Sequence, residues 1–216
     1  TTIGDISSQV PTAQYFGTNG AGGFPGVPVF GGVFNLIASG TPVRISTNMW
    51  NVNSATTASR LFNYSYFKNL VPEDVVSGQV YTDGYKWTMI TGDYTMPATD
   101  FLSTKNIILV NGNVIINGNI NLDNNVGFLG IFASGTINII NPAVTSIEGI
   151  YMTDSGFTTG PGTVQLHVRG SVASHGGISL LRDLPDDSVT PSEIFEFAPD
   201  QILLFPDKLG FRGQRW

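Results

Sequence analysis

The chain has no cysteine, which excludes disulfides and thiolate metal sites. That absence leaves the redox compartment open, because a cystine-free exported protein is as allowable as a cytosolic one. Charge is also scarce. Charged residues make up 12% of the sequence, about half the usual quarter. Ten basic residues against sixteen acidic ones give a formal charge of −6. Without a basic patch nothing displaces counterions from phosphates, so nucleic acid is not an expected partner, and an anionic membrane surface is disfavoured for the same reason. No window approaches the roughly 20 apolar residues of a membrane-crossing helix, so no membrane insertion by this chain is expected. A secretory leader is not evident either. Residue 1 is Thr, and the chain reads as a processed or trimmed form of something longer.

Glycine, with 26 residues, and neutral polar residues are abundant. At 216 residues the chain fits one domain with an appended arm, and buries enough surface to need no covalent staple. The most informative stretch is 106–174. It opens with Asn106-Ile107-Ile108-Leu109-Val110-Asn111-Gly112-Asn113-Val114-Ile115-Ile116-Asn117-Gly118. Short β-branched runs alternate with Asn-Gly, Ser-Gly or Arg-Gly, the pattern of narrow strands stacked as coils. Gly112, Gly135 and Gly170 each precede a β-branched position two residues on, with the segment 156–162 read as a bulging insertion in the longer gap. Segments 121–125 and 138–142 read as corners, where Asn and Gly tolerate left-handed backbone. The fold expected is all-β: a right-handed parallel β-helix over residues 33–216, with one short aromatic helix and an irregular C-terminal capping tail. The tail carries Phe195, Phe197 and the run Ile202–Phe205 as apolar, buried positions.

Upstream of the coils, Leu61, Tyr64, Phe67 and Leu70 recur every three residues, which predicts a helix over 57–70 that Val71-Pro72 ends. Asp83-Gly84 between Tyr81 and Tyr85 predicts a hairpin. Residues 20–32 are too rich in glycine and proline for helix or central strand. They read as a surface loop or as a hinge, and the hinge reading makes residues 1–32 an extended N-terminal arm whose Ile3, Ile6, Val10, Tyr15, Phe16 and Phe24 are the candidate subunit-contact residues.

Candidate chemistry is sparse. His167 and Arg169 share a strand face by the two-residue period and could receive a carboxylate or sulfate, or form an ordinary outward pair. Asp183, Asp186 and Asp187 supply oxygen atoms for calcium without the loop pattern that a calcium site uses. Glu148 and Asp154 are the nearest approach to a pair of glycosidase carboxylates. Trp50, Tyr81, Tyr85 and Trp87 are candidate stacking platforms for sugars. Ser174-His175 has no evident nucleophilic partner. No catalytic residue, cofactor or metal ligand is assigned.

Several phrases resemble the C-terminal β-solenoid region of predicted exported proteins linked to type IV pilus assembly, mostly seen in ultrasmall bacteria. They are Ile108-Leu109-Val110-Asn111-Gly112-Asn113-Val114, Ile131-Phe132-Ala133-Ser134-Gly135-Thr136-Ile137, Ile147-Glu148-Gly149-Ile150-Tyr151 and Gln165-Leu166-His167-Val168-Arg169-Gly170-Ser171-Val172. Leu181-Arg182-Asp183-Leu184, Thr190-Pro191-Ser192-Glu193 and Phe197-Ala198-Pro199-Asp200 close the set, and the similarity spans residues 57–216. The resemblance implies a surface-exposed or pilus-like, non-enzymatic protein. The chain departs from a pilin in having a Gly/Pro-rich arm where the hydrophobic N-terminal helix would stand. The expectation is therefore a structural subunit of an extracellular filament or surface appendage. It polymerises with itself head to tail through its arm, an open-ended heterologous contact. A monomeric adhesive module for surface glycans is the alternative, and a glycan-cleaving β-helix a third reading.

Overall fold

The computed structural model describes residues 62–185 and 190–210. It also describes the backbone of five short N-terminal strands: β1 (Ile6–Ser8), β2 (Phe24–Pro25), β3 (Val29–Phe30), β4 (Phe34–Leu36) and β5 (Asn51–Val52). Then come α1 (Tyr64–Asn69), β6 (Gln79–Val80), β7 (Lys86–Thr91), β8 (Tyr94–Met96), β9 (Thr99–Leu102), β10 (Lys105–Asn111), β11 (Val114–Ile116) and β12 (Ile120–Leu122). The chain continues through β13 (Phe128–Ala133), β14 (Ile137–Ile139), β15 (Ser146–Thr153), β16 (Phe157–Thr158), β17 (Leu166–Ser174), β18 (Ile178–Leu180), β19 (Glu193–Phe197) and α2 (Pro199–Leu203).

The chain winds into a parallel β-solenoid of about four turns. One sheet, here called A, stacks β7, β10, β13, β15, β17 and β19 in parallel, and a second, sheet B, stacks β8, β11, β14, β16 and β18. Strands β9, β12 and the start of β15 form a short third face. Each backbone pairs with the coil above and below at a rise of about 4.8 Å. Inward residues from the faces meet in a narrow aliphatic core that includes Val110, Val114, Ile116, Ile131, Ile137 and Ile147.

The 23-residue gap from Gly112 to Gly135 is one coil, the Gly135 amide donating to the Gly112 carbonyl at 2.9 Å, but the longer gap to Gly170 is not. Trp87 pairs with Ile107, Ile107 with Gly130, Gly130 with Ile150, and Ile150 with Ser171. Aligned residues on neighbouring rungs are 20 to 27 residues apart. The segment 156–162 is therefore no insertion: Phe157-Thr158 is a rung of sheet B, paired with Ile137-Asn138 below and Ile178-Ser179 above. Gly170 does not belong to the Gly112–Gly135 column. It stacks on Gly149, and both hold left-handed backbone (φ +136° and +133°). A Cβ at Gly149 would lie 2.8 Å from the Leu129 carbonyl oxygen, and one at Gly170 would overlap the Gly149 carbonyl. The two glycines let β15 and β17 bend from the third face into sheet A without a loop.

Sheet A is covered on its outer face as well. Tyr64 and Phe67 of α1, together with Leu209 and the partly buried Leu204 and Phe205, pack over Trp87, Ile107, Leu109, Phe128, Phe132 and Met152. Phe67 lies 4.3 Å from Phe132 between ring centroids. Helix α1 starts later than the three-residue recurrence predicts. Asn63 caps it, its side-chain oxygen accepting from the Tyr66 amide at 2.9 Å, and that cap stops the helix from extending back through residue 62. Residues 57–61 lie outside the described residues. The hairpin at Asp83-Gly84 forms as the sequence predicts, with Tyr81 N–H donating to the Tyr85 carbonyl at 2.8 Å.

The C-terminal tail is more regular than expected: β19 joins sheet A and α2 follows. It is also less buried. Leu203 is 85% exposed, and Phe197 and Ile202 are exposed too. Of the expected corners, Asn121 and Asn138 sit within strands, and the turns fall at 123–127 and 141–143, with Asn125 left-handed (φ 65°).

Candidate functional site

Three of the short N-terminal strands pair with the solenoid. Strand β1 pairs parallel with β18, Ile6 opposite Ile178 and Ser8 opposite Leu180, and β4 pairs parallel with β1 in turn. Sheet B is thereby lengthened by two rungs drawn from the opposite end of the sequence. Phe24, in β2, pairs antiparallel with Phe197. Of the six candidate contact residues, Ile6 and Phe24 thus lie in strands that add to the last coil of their own chain. Ile3, Val10, Tyr15 and Phe16 lie outside the described residues.

The His167–Arg169 pair is real, but its charge is spent internally. Register sets Glu148 beside Arg169. The Arg169 guanidinium reaches Asp200 Oδ1 at 2.7 Å, Glu148 Oε2 at 3.4 Å and Glu196 Oε1 at 3.8 Å, while His167 Nε2 lies 2.8 Å from Glu196 Oε2. Asp200 also accepts from the Asn125 amide at 3.0 Å. Burial alone would raise the Asp200 carboxyl, and the Asn125 amide and Arg169 overcome it, holding it below the ordinary aspartate value. For Glu148 burial prevails over Arg169, and its carboxyl is held above the ordinary value. One cation facing three carboxylates has no affinity left for an added anion. The cluster is a latch that fastens β19 and α2 across sheet A. Gln201 completes it, its amide donating to the Gly127 carbonyl at 2.8 Å and its oxygen accepting from Leu129 at 3.4 Å. The sequence offered the pair His167–Arg169; Glu196 was missed because only strand register sets it opposite Arg169, and Asp200 because α2 must first follow β19 back over the sheet.

A second buried polar group joins the two sheets at the last coil. The Glu193 carboxylate accepts from the Thr159 hydroxyl at 2.8 Å and the Arg182 amide at 2.9 Å, and burial pushes its pKa up to about 6. Arg182 is fully buried, donating to the carbonyls of Pro142 at 2.7 Å and Thr159 at 3.2 Å, and burial lowers its pKa.

The enzymatic and sugar-binding candidates do not assemble. Glu148 faces Arg169, whereas Asp154 serves the start of α1, accepting from the Tyr64 amide at 2.8 Å. The Ser174 hydroxyl is buried against the carbonyls of Ser155 and Gly177, and His175 faces the Phe62 carbonyl. Trp87 is completely buried, with its indole N–H on Asp83, and Tyr85 is buried with its hydroxyl donating to the Leu204 carbonyl at 2.6 Å. The outer cover of sheet A needs these rings, so they are not platforms for sugars. Tyr81 is tied to Asp74 and covered by the Lys208 ammonium, and Trp50 lies outside the described residues. Asp183 is exposed, and Asp186 and Asp187 lie outside the described residues. Among the described residues no three His, Asp or Glu side chains converge as a metal site, and no helix is long and apolar enough to cross a membrane.

What remains as a candidate site is the backbone at the ends of sheet B. Among the described residues strand β8 pairs only with β11, through bonds such as Tyr94 N–H to the Asn113 carbonyl (2.8 Å) and Asn117 N–H to the Met96 carbonyl (2.8 Å). Parallel ladders use alternate residues on each side. Thr95, which is exposed, therefore turns its N–H and C=O away from β11. No family model, curated protein or solved structure was found to match the chain.

Proposed function

We propose that this protein is a non-enzymatic structural subunit of an extracellular filament or surface appendage, assembling end to end with copies of itself. The observation that carries this reading is the N-terminal segment running as two added parallel rungs on β18. Sheet B accepts strands that do not follow from the preceding coil, which is the physical requirement for building by strand addition. The extracellular setting is supported by the charge-poor, amide-rich composition and by the resemblance of residues 57–216 to exported, pilus-associated solenoids. The burial of Tyr85 and Trp87 removes the ground for sugar stacking there.

Negative-stain microscopy and sedimentation of the full chain test this reading, with filaments or a ladder of oligomers expected. Removing residues 1–19 takes away β1 and is expected to leave a folded monomer that no longer elongates. Normal filaments from that truncated chain would refute the role of the arm, and a wild-type chain that stays monomeric at all concentrations would refute the filament.

A further inference from the structure

Two ends of one solenoid are finished differently on its two main sheets. Sheet A is closed at each end by a two-residue antiparallel strand, β6 on β7 and β2 on β19. The second of these contains Pro25, which has no N–H to offer a further strand. These are the devices that block edge-to-edge pairing. Sheet B has neither. All its rungs are parallel, from β8 at one end through β18 and β1 to β4 at the other, and among the described residues nothing pairs on the outer side of β8 or of β4.

We infer that the β8 edge of one copy pairs, parallel and in register, with the β4 edge of the next copy. Sheet B then runs unbroken through the junction. The inference rests on the end-to-end reading above and names the interface that reading needs. Polarity favours it: β4 and β8 are opposite ends of a single parallel stack, so a screw along the solenoid axis joins them without reversing either strand. Two-fold pairing of β8 with β8 would instead be antiparallel and would close the assembly at a dimer. Register favours it as well. Tyr94, Val114, Ile137, Phe157, Ile178, Ile6 and Phe34 occupy one row of the sheet, and Met96, Ile116, Ile139, Leu180 and Leu36 fall in another. The next rung after Phe34-Asn35-Leu36 is thus matched by Tyr94-Thr95-Met96, with Asn35 opposite Thr95.

The polar ladder along the adjoining corner ends at the same place. Asp93 Oδ1 accepts from both the backbone amide and the side-chain amide of Asn113 at 2.9 and 3.0 Å, and Asn113 Oδ1 in turn accepts from Thr136 at 2.8 Å. Asp93 Oδ2 has no protein partner among the described residues. An open backbone edge and an open acceptor coincide at the first rung.

Cysteine crosslinking tests the junction, because the wild-type chain has none to confuse the result. Neighbouring parallel strands bring aligned Cα atoms to about 4.8 Å, inside the range a disulfide bridges. The full-length double variant Asn35→Cys/Thr95→Cys is expected to give a covalent ladder under mild oxidation, whereas each single variant gives at most dimers. In parallel, Thr95→Pro removes only the outward donor and should cut the sedimentable fraction roughly tenfold or more, with the monomer's melting curve unchanged. Thr95→Lys, a charge on the open edge, should do the same if proline disturbs β8. Wild-type filaments with no ladder, and with both Thr95 variants assembling normally, would overturn this interface while leaving the filament reading intact. A wild-type chain that never assembles would overturn both.

Discussion

Sheets A and B are wound from the same coils, yet they read differently in sequence and end differently in space. In β10 and β13, Ile107-Ile108-Leu109-Val110 and Phe128–Ala133 are buried without interruption, because the coil core lies on one side and α1 with the tail on the other. In β11, β14 and β18 the outward residue is only half-buried, and the pattern alternates. A parallel strand covered on both faces becomes a continuous apolar run, and one covered on a single face alternates. The second difference follows the first. The doubly covered sheet is also closed at its ends, and the singly covered one is left open.

The largest expected effect exploits that contrast within one coil. Leu109→Ala in β10 removes a completely buried side chain from the outer layer of sheet A and should cost about 2–5 kcal/mol by denaturant unfolding. Ile115→Ala, six residues later on the outward side of sheet B, should cost less than about 1 kcal/mol. Equal losses would mean that α1 and the tail do not cover sheet A. Next comes the latch. Arg169→Gln leaves Asp200 and Glu148 without their cation and should cost about 1.5–3 kcal/mol, with residues 193–205 gaining hydrogen exchange ahead of the coils.

Glu193, at the junction of the two sheets, gives a pH signature. Its folded pKa of about 6 stands above the ordinary 4.5. The folded form therefore holds its proton to higher pH than the unfolded chain. Its contribution to stability is greatest below about pH 4.5 and falls by on the order of 2 kcal/mol as pH rises to about 6. Glu193→Gln should flatten stability over that window, and an unchanged slope would put the carboxyl outside the buried junction. Below the latch and Glu193 comes Asn63→Ala, which removes the α1 cap at a cost of about 1 kcal/mol and should loosen the cover of sheet A without touching sheet B.

The solenoid was legible because its cause is local: β-branched triplets between Asn-Gly corners have few other ways to fold. The period was not. Phe157-Thr158 is a rung of two residues with a single apolar side chain, too short to register as a strand beside the glycines around it. Gly170 looked like a continuation of the Gly112–Gly135 column, but it stacks on Gly149, and the two serve bends within long strands, a role that only their stacking reveals. Trp87 and Tyr85 looked like exposed platforms because half of their cover, Leu204 with Phe205, comes from more than a hundred residues away. Asp200 was hidden from Arg169 in the same way, by 31 residues of intervening chain. For the short rung and the stacked glycines the missing information was register, which a parallel fold sets across 20 or more residues rather than within a turn; for the rings and Asp200 it was the return of α2 and the residues after it over sheet A.

Amide hydrogen exchange, compared between dispersed and assembled full-length chain, tests the central claim most directly. If subunits join through the open edges of sheet B, the Thr95 amide slows on assembly while Gln79 and Val80 in β6, on the closed edge of sheet A, keep their rates. Protection gained in β6 with Thr95 unchanged would contradict it.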